Sequence, residues 1–172
     1  MDMYLSARTQ TLAQFKEVYD KRLLNETPNN GSPVIFCAMA NQTPQNRYDI
    51  VKFLIGEGAE LTGTNGEGET LFHILFSRPK HIMAQAAELT QILIEAGADI
   101  NQLDAKRRAA IQHLISHPKF TDEDFAPLYD VIFQSCTLDI NVKNDWGYTP
   151  MELARKFPYR ADLLRRMAEN GR

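Results

Sequence analysis

Short apolar segments alternate with polar ones along the chain in a pattern typical of paired helices. A first set of four short apolar segments spans residues 34–40, 72–76, 111–115 and 151–154. A second set has apolar residues at helical spacing and is clearest over residues 50–55, 89–94 and 128–133. We therefore expect an all-α fold, built from pairs of one short and one longer helix.

These pairs recur at a nearly constant period. Glu60, Asp99 and Asp139 stand in similar contexts and are 39 and 40 residues apart. A helix start follows each of them ten residues later, at Thr70, Ala109 and Thr149 respectively, and an earlier helix start lies at Ser32. Two interleaved series with one constant offset indicate a repeat protein, in which each unit buries its apolar face against its neighbours.

Helix boundaries are marked by residues that suit them physically. Serine or threonine is expected to cap the short helices, with proline after it where its missing N–H costs nothing; these starts are Ser32-Pro33, Thr70 and Thr149-Pro150. Gly58 and Gly97 end the first two longer helices, as a left-handed C-terminal residue requires. The residues 121–124 form a capping box, with Thr121 as the cap and Asp124 at its third position.

The period divides the chain into units within a single domain, residues 1–172. A capping segment, residues 1–29, precedes the units, and a helix is predicted within it over residues 9–25. Three full repeats are assigned to residues 30–67, 68–106 and 107–146, and a shortened capping repeat to residues 147–172. Terminal units of such arrays need a polar outer face, which both ends supply.

Three segments carry a resemblance to the ankyrin repeat family: residues 70–75, 97–101 and 146–154. The resemblance implies an ankyrin-type solenoid of stacked helix-turn-helix repeats, with projecting β-hairpin-like turns and terminal capping helices. It also implies that His73 makes a structural hydrogen bond to nearby backbone. The repeats here span 38 to 40 residues, whereas those of the family span about 33. The surplus falls between the paired helices, and Arg107 stands where the family usually has glycine.

Charge, hydrophobicity and cysteine content limit the classes of function and the cellular compartments that fit the chain. The 19 basic and 22 acidic residues give a net charge of −3, which argues against nucleic-acid binding. No apolar run is long enough to cross a membrane, and the first eight residues do not resemble a signal peptide. Cys37 and Cys136 lie in apolar segments and are expected to be reduced thiols, which favours a cytoplasmic protein. Delivery into another cell stays open.

No arrangement of residues predicts catalysis. Neither cysteine has a neighbouring histidine to activate it, so the chain is not expected to be an enzyme or to need a cofactor or metal. One alternative, a metal-binding or enzymatic protein, would use His113 and His117, which are four residues apart, with the acids of residues 117–124. The preferred interpretation leaves both histidines at the surface or in an interface.

The preferred hypothesis is a non-catalytic protein–protein interaction module. The resemblance implies that a protein partner contacts the projecting turns and the exposed concave side of the short helices. Carried over by position, the partner-binding residues are Glu67, Glu69, Ile74, Ser77, Lys106, Arg108, His113, Ser116, Trp146, Tyr148, Leu153 and Lys156. Trp146 and Tyr148 are typical anchors of an interface, although Trp146 could instead pack onto its own repeat. A monomer is expected; a structural spacer subunit of an assembly is the remaining alternative.

Overall fold

The computed structural model describes residues 2–28 and 31–172, and in these residues the chain is entirely helical, without strands. The predicted all-α class is confirmed. Two short 3-10 turns, Lys21–Leu23 and Pro158–Arg160, accompany ten helices. The helices are α1 Met3–Thr9, α2 Leu12–Val18, α3 Val34–Met39, α4 Pro44–Glu57, α5 Leu71–Phe76, α6 Met83–Glu95, α7 Ile111–Ile115, α8 Asp122–Ser135, α9 Pro150–Ala154 and α10 Ala161–Asn170.

The helices pack in two rows. The short helices α1, α3, α5, α7 and α9 contact one another in that order. The other helices, α2, α4, α6, α8 and α10, form the second row in the same way. The central short helices α3, α5 and α7 bury nearly all of their apolar residues: in α5, for example, Leu71, Phe72, Leu75 and Phe76 are at most 1% exposed. One continuous core therefore runs along the stack between the two rows. No helix of the described residues is both long and apolar enough to cross a lipid bilayer.

The predicted single helix over residues 9–25 is wrong, because the N-terminal segment forms a helix pair of its own. Asp2 caps α1, and Thr11 starts α2 through a capping box with Gln14. Helix α2 ends at Val18, well before residue 25, and α1 lies almost entirely ahead of the predicted span; α1 stacks on α3 and α2 on α4. The assigned boundary between residues 29 and 30 lies outside the described residues.

Most of the other predicted boundaries match the structure closely. Thr121 and Thr149 accept hydrogen bonds at their helix starts, and Gly58 ends α4 with a φ of +97°. The predicted cap at Ser32 is wrong: Pro33 stands at the N-cap position of α3, without a side-chain hydrogen bond. The surplus between paired helices is only partly loop, since α4, α6 and α8 begin inside it.

Three projecting turns share one construction. The side-chain oxygens of Asn65, Asp104 and Asn144 each accept the backbone N–H groups two and four residues later, at 2.8–3.1 Å. Backbone hydrogen bonds also link successive turns, from the Ala105 N–H to the Glu67 carbonyl and from the Asp145 N–H to the Lys106 carbonyl. The turns are thus fixed relative to one another and present a rigid edge.

A second series of hydrogen bonds links the units at their opposite end, where each short helix gives way to its loop. Here a side chain of each unit donates to a backbone carbonyl of the unit before it. The steps, which we call the loop ladder, are Asn41 Nδ2 to Ala7 O (3.0 Å), Arg78 Nη1 to Ala40 O (3.3 Å), His117 Nε2 to Arg78 O (3.0 Å) and Arg160 Nη2 to His117 O (2.9 Å).

Arg160 anchors the C-terminal end of this ladder. Its side chain is fully buried and donates to the carbonyls of Ile115, His117 and Phe120, and its guanidinium lies 3.4 Å from the Asp122 carboxylate. Asp122 in turn accepts the backbone N–H groups of Asp162 and Leu163. A single arginine therefore ties the loop after α7 to the last helix pair.

We expect Arg107→Gly to stabilise the protein by about 1 kcal/mol, because a side chain in the left-handed region is strained. Arg107 has a φ of +55° at the turn position where the other units carry Gly68 and Gly147, also at positive φ. Urea unfolding gives the free energy of unfolding. Lys106→Gly in the same turn is the control and should destabilise; equal effects of the two changes would contradict the assignment of strain.

Removing the Arg160 side chain is expected to cost about 3–5 kcal/mol of stability, because Asp122 and buried carbonyls would lose their partner. Arg160→Ala measures this cost in urea unfolding. Arg160→Lys keeps the charge but cannot reach several carbonyls at once, so it should fall between alanine and wild type. A lysine variant as stable as wild type would show that charge alone, without the shape of the guanidinium, is required.

Candidate functional site

Three pockets lie in a row where the short helices meet the turns and loops. The N-terminal pocket, of about 690 Å³, includes Phe36, Cys37, Glu67 and Ile74 in its lining. The central pocket, of about 240 Å³, and the C-terminal pocket, of about 360 Å³, share His113 and Ser116. Because they share these lining residues, the two pockets are neighbours at the C-terminal end of α7.

Opposite charges face the N-terminal pocket from its two ends. Arg8 and Arg78 contribute guanidinium groups, and Glu67 and Glu69 contribute carboxylates from the first turn. Arg78 is held by the carbonyls of Ala40 and Ile74, and burial followed by the nearby charge of Arg8 lowers its pKa. This pocket can therefore receive polar groups of either sign.

The C-terminal pocket is mostly apolar and carries the aromatic residues of the third turn. Trp146 is 61% exposed and Tyr148 36% exposed. The Lys156 ammonium lies 3.8 Å from the centre of the Tyr148 ring, close enough for a cation–π contact that holds both side chains. Leu153 adds an aliphatic wall. The alternative in which Trp146 packs as core is wrong, since most of its surface faces solvent.

The floor of the C-terminal pocket is set by two amide side chains. Asn144 Oδ1 accepts two backbone N–H groups of its turn, so its Nδ2 must serve as the donor to Gln112 Oε1, at 3.1 Å. Because Gln112 accepts this bond, its Oε1 faces Asn144 and its Nε2 points away. Among the described residues Nε2 has no hydrogen-bond partner, although Gln112 is only 4% exposed. The neighbouring His113 Nε2 also lacks a partner.

Charged groups beside this floor form one compact cluster. Glu69, Asp104 and His113 offer potential metal-ligand atoms within 4.8 Å of one another. The Arg108 guanidinium already bonds to Asp104 at 2.6 Å and lies 3.9 Å from Glu69. Burial raises the pKa of Asp104, but hydrogen bonds from Arg108 outweigh it, and the pKa is lowered overall. An internal cation thus balances these carboxylates.

His73 makes the structural hydrogen bonds that the resemblance implied. Its Nδ1 accepts the Thr70 backbone N–H at 3.1 Å, so Nε2 carries the proton and donates to the Arg108 carbonyl at 2.8 Å. The ring therefore bridges the start of α5 to the following turn. Burial lowers the pKa of His73, which keeps the imidazole neutral in this role.

The structure separates the histidines of the alternative metal site. Helix α7 ends at Ile115, so His113 and His117 do not share a helical face. His117 is buried, against the surface position expected for it, and its Nε2 donates to Arg78 O. Of the nearby acids, Asp124 accepts the Thr121 backbone N–H in the capping box of α8, and Asp122 bonds to Arg160. Among the described residues, these groups do not form a metal-ligand cluster.

The twelve residues predicted to bind a partner lie mostly on the three pockets. Glu67, Glu69 and Ile74 line the N-terminal pocket. Ser77, His113 and Ser116 line the central pocket. The C-terminal pocket adds Arg108, Trp146, Tyr148 and Leu153. Lys106 is exposed at the turn edge, and Lys156 stacks on Tyr148.

Sequence reasoning missed several residues of these pockets. Gln112 was overlooked, although it is the counterpart of His73 and Glu152 at the repeat spacing of 39 and 40 residues. In their units these two residues contact the backbone N–H of a threonine cap. In the third unit Gln112 accepts from Asn144 instead. Arg8 and Cys37 gave no signal, because their pocket forms only when distant helices pack.

Comparisons with known proteins extend to the fold alone. No protein-family model matches the chain, and no curated protein does. The chain is similar to the crystal structure of a functionally unknown protein from Leptotrichia buccalis C-1013-b. The two are 26% identical, the match covers 98% of this chain and 92% of that chain, and the TM-score is 0.84. The whole helical stack therefore recurs in another protein.

We expect the stability to fall as the pH drops from about 6.5 towards 4. Burial, together with the positive charges of Arg47 and Arg108 respectively, lowers the pKa of His81 to about 3 and that of His113 to about 4. The unfolded chain takes up these protons near pH 6.5 while the folded chain does not, so each group costs about 2 kcal/mol at pH 5.

His81→Phe tests this expectation by removing one of these groups. The His81 ring packs against Phe120, and among the described residues its nitrogens make no hydrogen bond beyond a weak contact with the Arg78 backbone, so phenylalanine should fit with little loss. Urea unfolding at pH 7 and pH 5 should show a loss on acidification that is about 2 kcal/mol smaller in the variant. Identical losses in variant and wild type would contradict the assignment.

Proposed function

We propose that this chain is a divergent ankyrin-type repeat protein, with a non-catalytic function in binding a protein partner. The partner would lie along the turn edge and the adjoining pockets. The observation that carries the proposal is the exposed aromatic pair of the third turn. Trp146 is 61% exposed, stands on a turn braced by Asn144, and borders an apolar pocket of about 360 Å³.

The rigidity of the turns supports a binding role. Side chains held in place before binding lose little conformational entropy when a partner docks. Tyr148 is stacked on Lys156, and its turn is hydrogen-bonded to the preceding one. Large aromatic groups presented in this way are the usual centres of binding energy in protein interfaces.

The cysteine environments agree with a non-catalytic role. Burial raises the pKa of Cys37 and of Cys136, so both thiols are stabilised in the protonated form. A nucleophilic cysteine needs the opposite shift, towards the thiolate. The buried histidines are likewise engaged in the packing of the stack: His73 and His117 donate to backbone carbonyls of neighbouring units.

The proposal predicts that Trp146→Ala/Tyr148→Ala abolishes capture of a partner from a lysate of the source cells. Trp146 and Tyr148 are exposed, so the double variant should unfold within about 0.5 kcal/mol of wild type for each substitution. The matched control is Leu5→Ala/Leu23→Ala, which removes two exposed apolar side chains elsewhere. A partner retained by wild type and control but lost by the double variant is the expected result.

Retention of the same partner by the double variant would contradict the assignment of the turn edge as the binding surface. If the complex stays intact on dilution, the chain is a constitutive subunit of an assembly and not a module that binds transiently. Constitutive interfaces are larger than transient ones and dissociate less readily. Analytical ultracentrifugation of the reconstituted complex distinguishes these cases.

A further inference from the structure

Two side chains that line the C-terminal pocket have a nitrogen without a hydrogen-bond partner among the described residues. These atoms are Gln112 Nε2, an amide donor, and His113 Nε2 beside it. Arg108 is already paired with the Asp104 carboxylate through Nε and Nη2, and it lies 3.9 Å from Glu69. An occupant that leaves buried donors unpaired loses affinity, so a well-fitting one must bring acceptor oxygens.

The apolar walls of the same pocket need a different group. Trp146, Tyr148 and Leu153 surround a space of about 360 Å³, which suits one large side chain with part of its backbone. Aromatic side chains bury the most area in such a site and stack favourably on tryptophan and tyrosine. The geometry therefore favours an aromatic anchor with acceptor groups beside it.

Charge around the pocket defines the sign of those acceptors. The Lys156 ammonium lies on the Tyr148 ring, and Lys106 and Arg107 are exposed on the adjoining second turn, with Asp145 as the acidic residue of the third turn. The carboxylates nearest the floor, Asp104 and Glu69, are balanced by Arg108. A positively charged rim around donor groups complements carboxylates.

We propose that the C-terminal pocket binds an acidic peptide segment of the partner, with an aromatic side chain inserted beside Trp146 and flanking carboxylates paired with Lys106 and Lys156 at the rim. This inference rests on the proposed function and adds the chemistry of the partner. The segment is defined by its acidic residues and its aromatic anchor together, since the pocket has donors on its floor and apolar walls above them.

The single tryptophan of the chain gives a direct readout of occupancy, because Trp146 borders the pocket. The probe is a capped pentapeptide of phenylalanine flanked on each side by two glutamates. We expect a saturable change in tryptophan emission that weakens with added salt. A peptide with lysines in place of the glutamates, and one with serine in place of phenylalanine, should each bind at least about tenfold more weakly, equivalent to about 1.4 kcal/mol.

Charge reversal at the rim tests the same idea from the protein side. Lys106→Glu/Lys156→Glu should weaken the acidic peptide by at least about tenfold, which is about 1.4 kcal/mol. The matched control is Lys16→Glu/Lys21→Glu, which makes the same change of charge at exposed positions near the N-terminal end of the stack. The control should bind within about twofold of wild type, and melting temperatures verify that both variants are folded.

Equal binding of the glutamate and lysine peptides would overturn the proposed chemistry while leaving the aromatic pocket as a binding site. The absence of any emission change would overturn it as well. An emission change that follows protein concentration without peptide would show that a second copy of the chain occupies the pocket, which also overturns it. Failure of the proposed function is distinguishable, because it appears as a partner retained by Trp146→Ala/Tyr148→Ala in the lysate experiment.

Discussion

The stack depends on hydrogen bonds to backbone carbonyls at and just beyond the end of each short helix. A helix of five to seven residues, such as α7 or α1, has no intrahelical donors for its last carbonyls, and the loop that follows adds further acceptors. In this protein the next unit supplies the donor, through Asn41, Arg78, His117 and Arg160 in turn. Neighbouring units therefore complete each other's hydrogen bonds as well as their core.

Repeat spacing made most of the fold predictable from the sequence, because period and capping are local properties. Thr149 starts α9 and Gly58 ends α4, as the capping preference of each residue type requires. The failures arose where distant residues decide the outcome. His117 reads as a polar loop residue, yet the backbone of a loop 39 residues earlier makes it a buried donor. Asn41 likewise binds α1, a helix that lies almost entirely ahead of the predicted span of residues 9–25 and was not expected.

The candidate site was likewise predictable from the sequence only where local position decides it. Position within the repeat was enough to place Trp146, Tyr148 and Leu153 together on one pocket. The chemistry of its floor could not be deduced that way, because Asn144 uses its oxygen on its own turn and so presents its Nδ2 donor to Gln112. Hydrogen-bond direction inside a pocket is a property of the network, and single positions do not encode it.

Loop-ladder donors also limit how the units can be exchanged. Asparagine, arginine and histidine differ in length and in the number of bonds they can make, and each fits the carbonyl of one particular neighbour. Transplanting the third unit beside the first would place a histidine where an arginine must reach. An exchange of units would thus leave mismatched donors at the new junctions, and the ladder favours the one order of units found here.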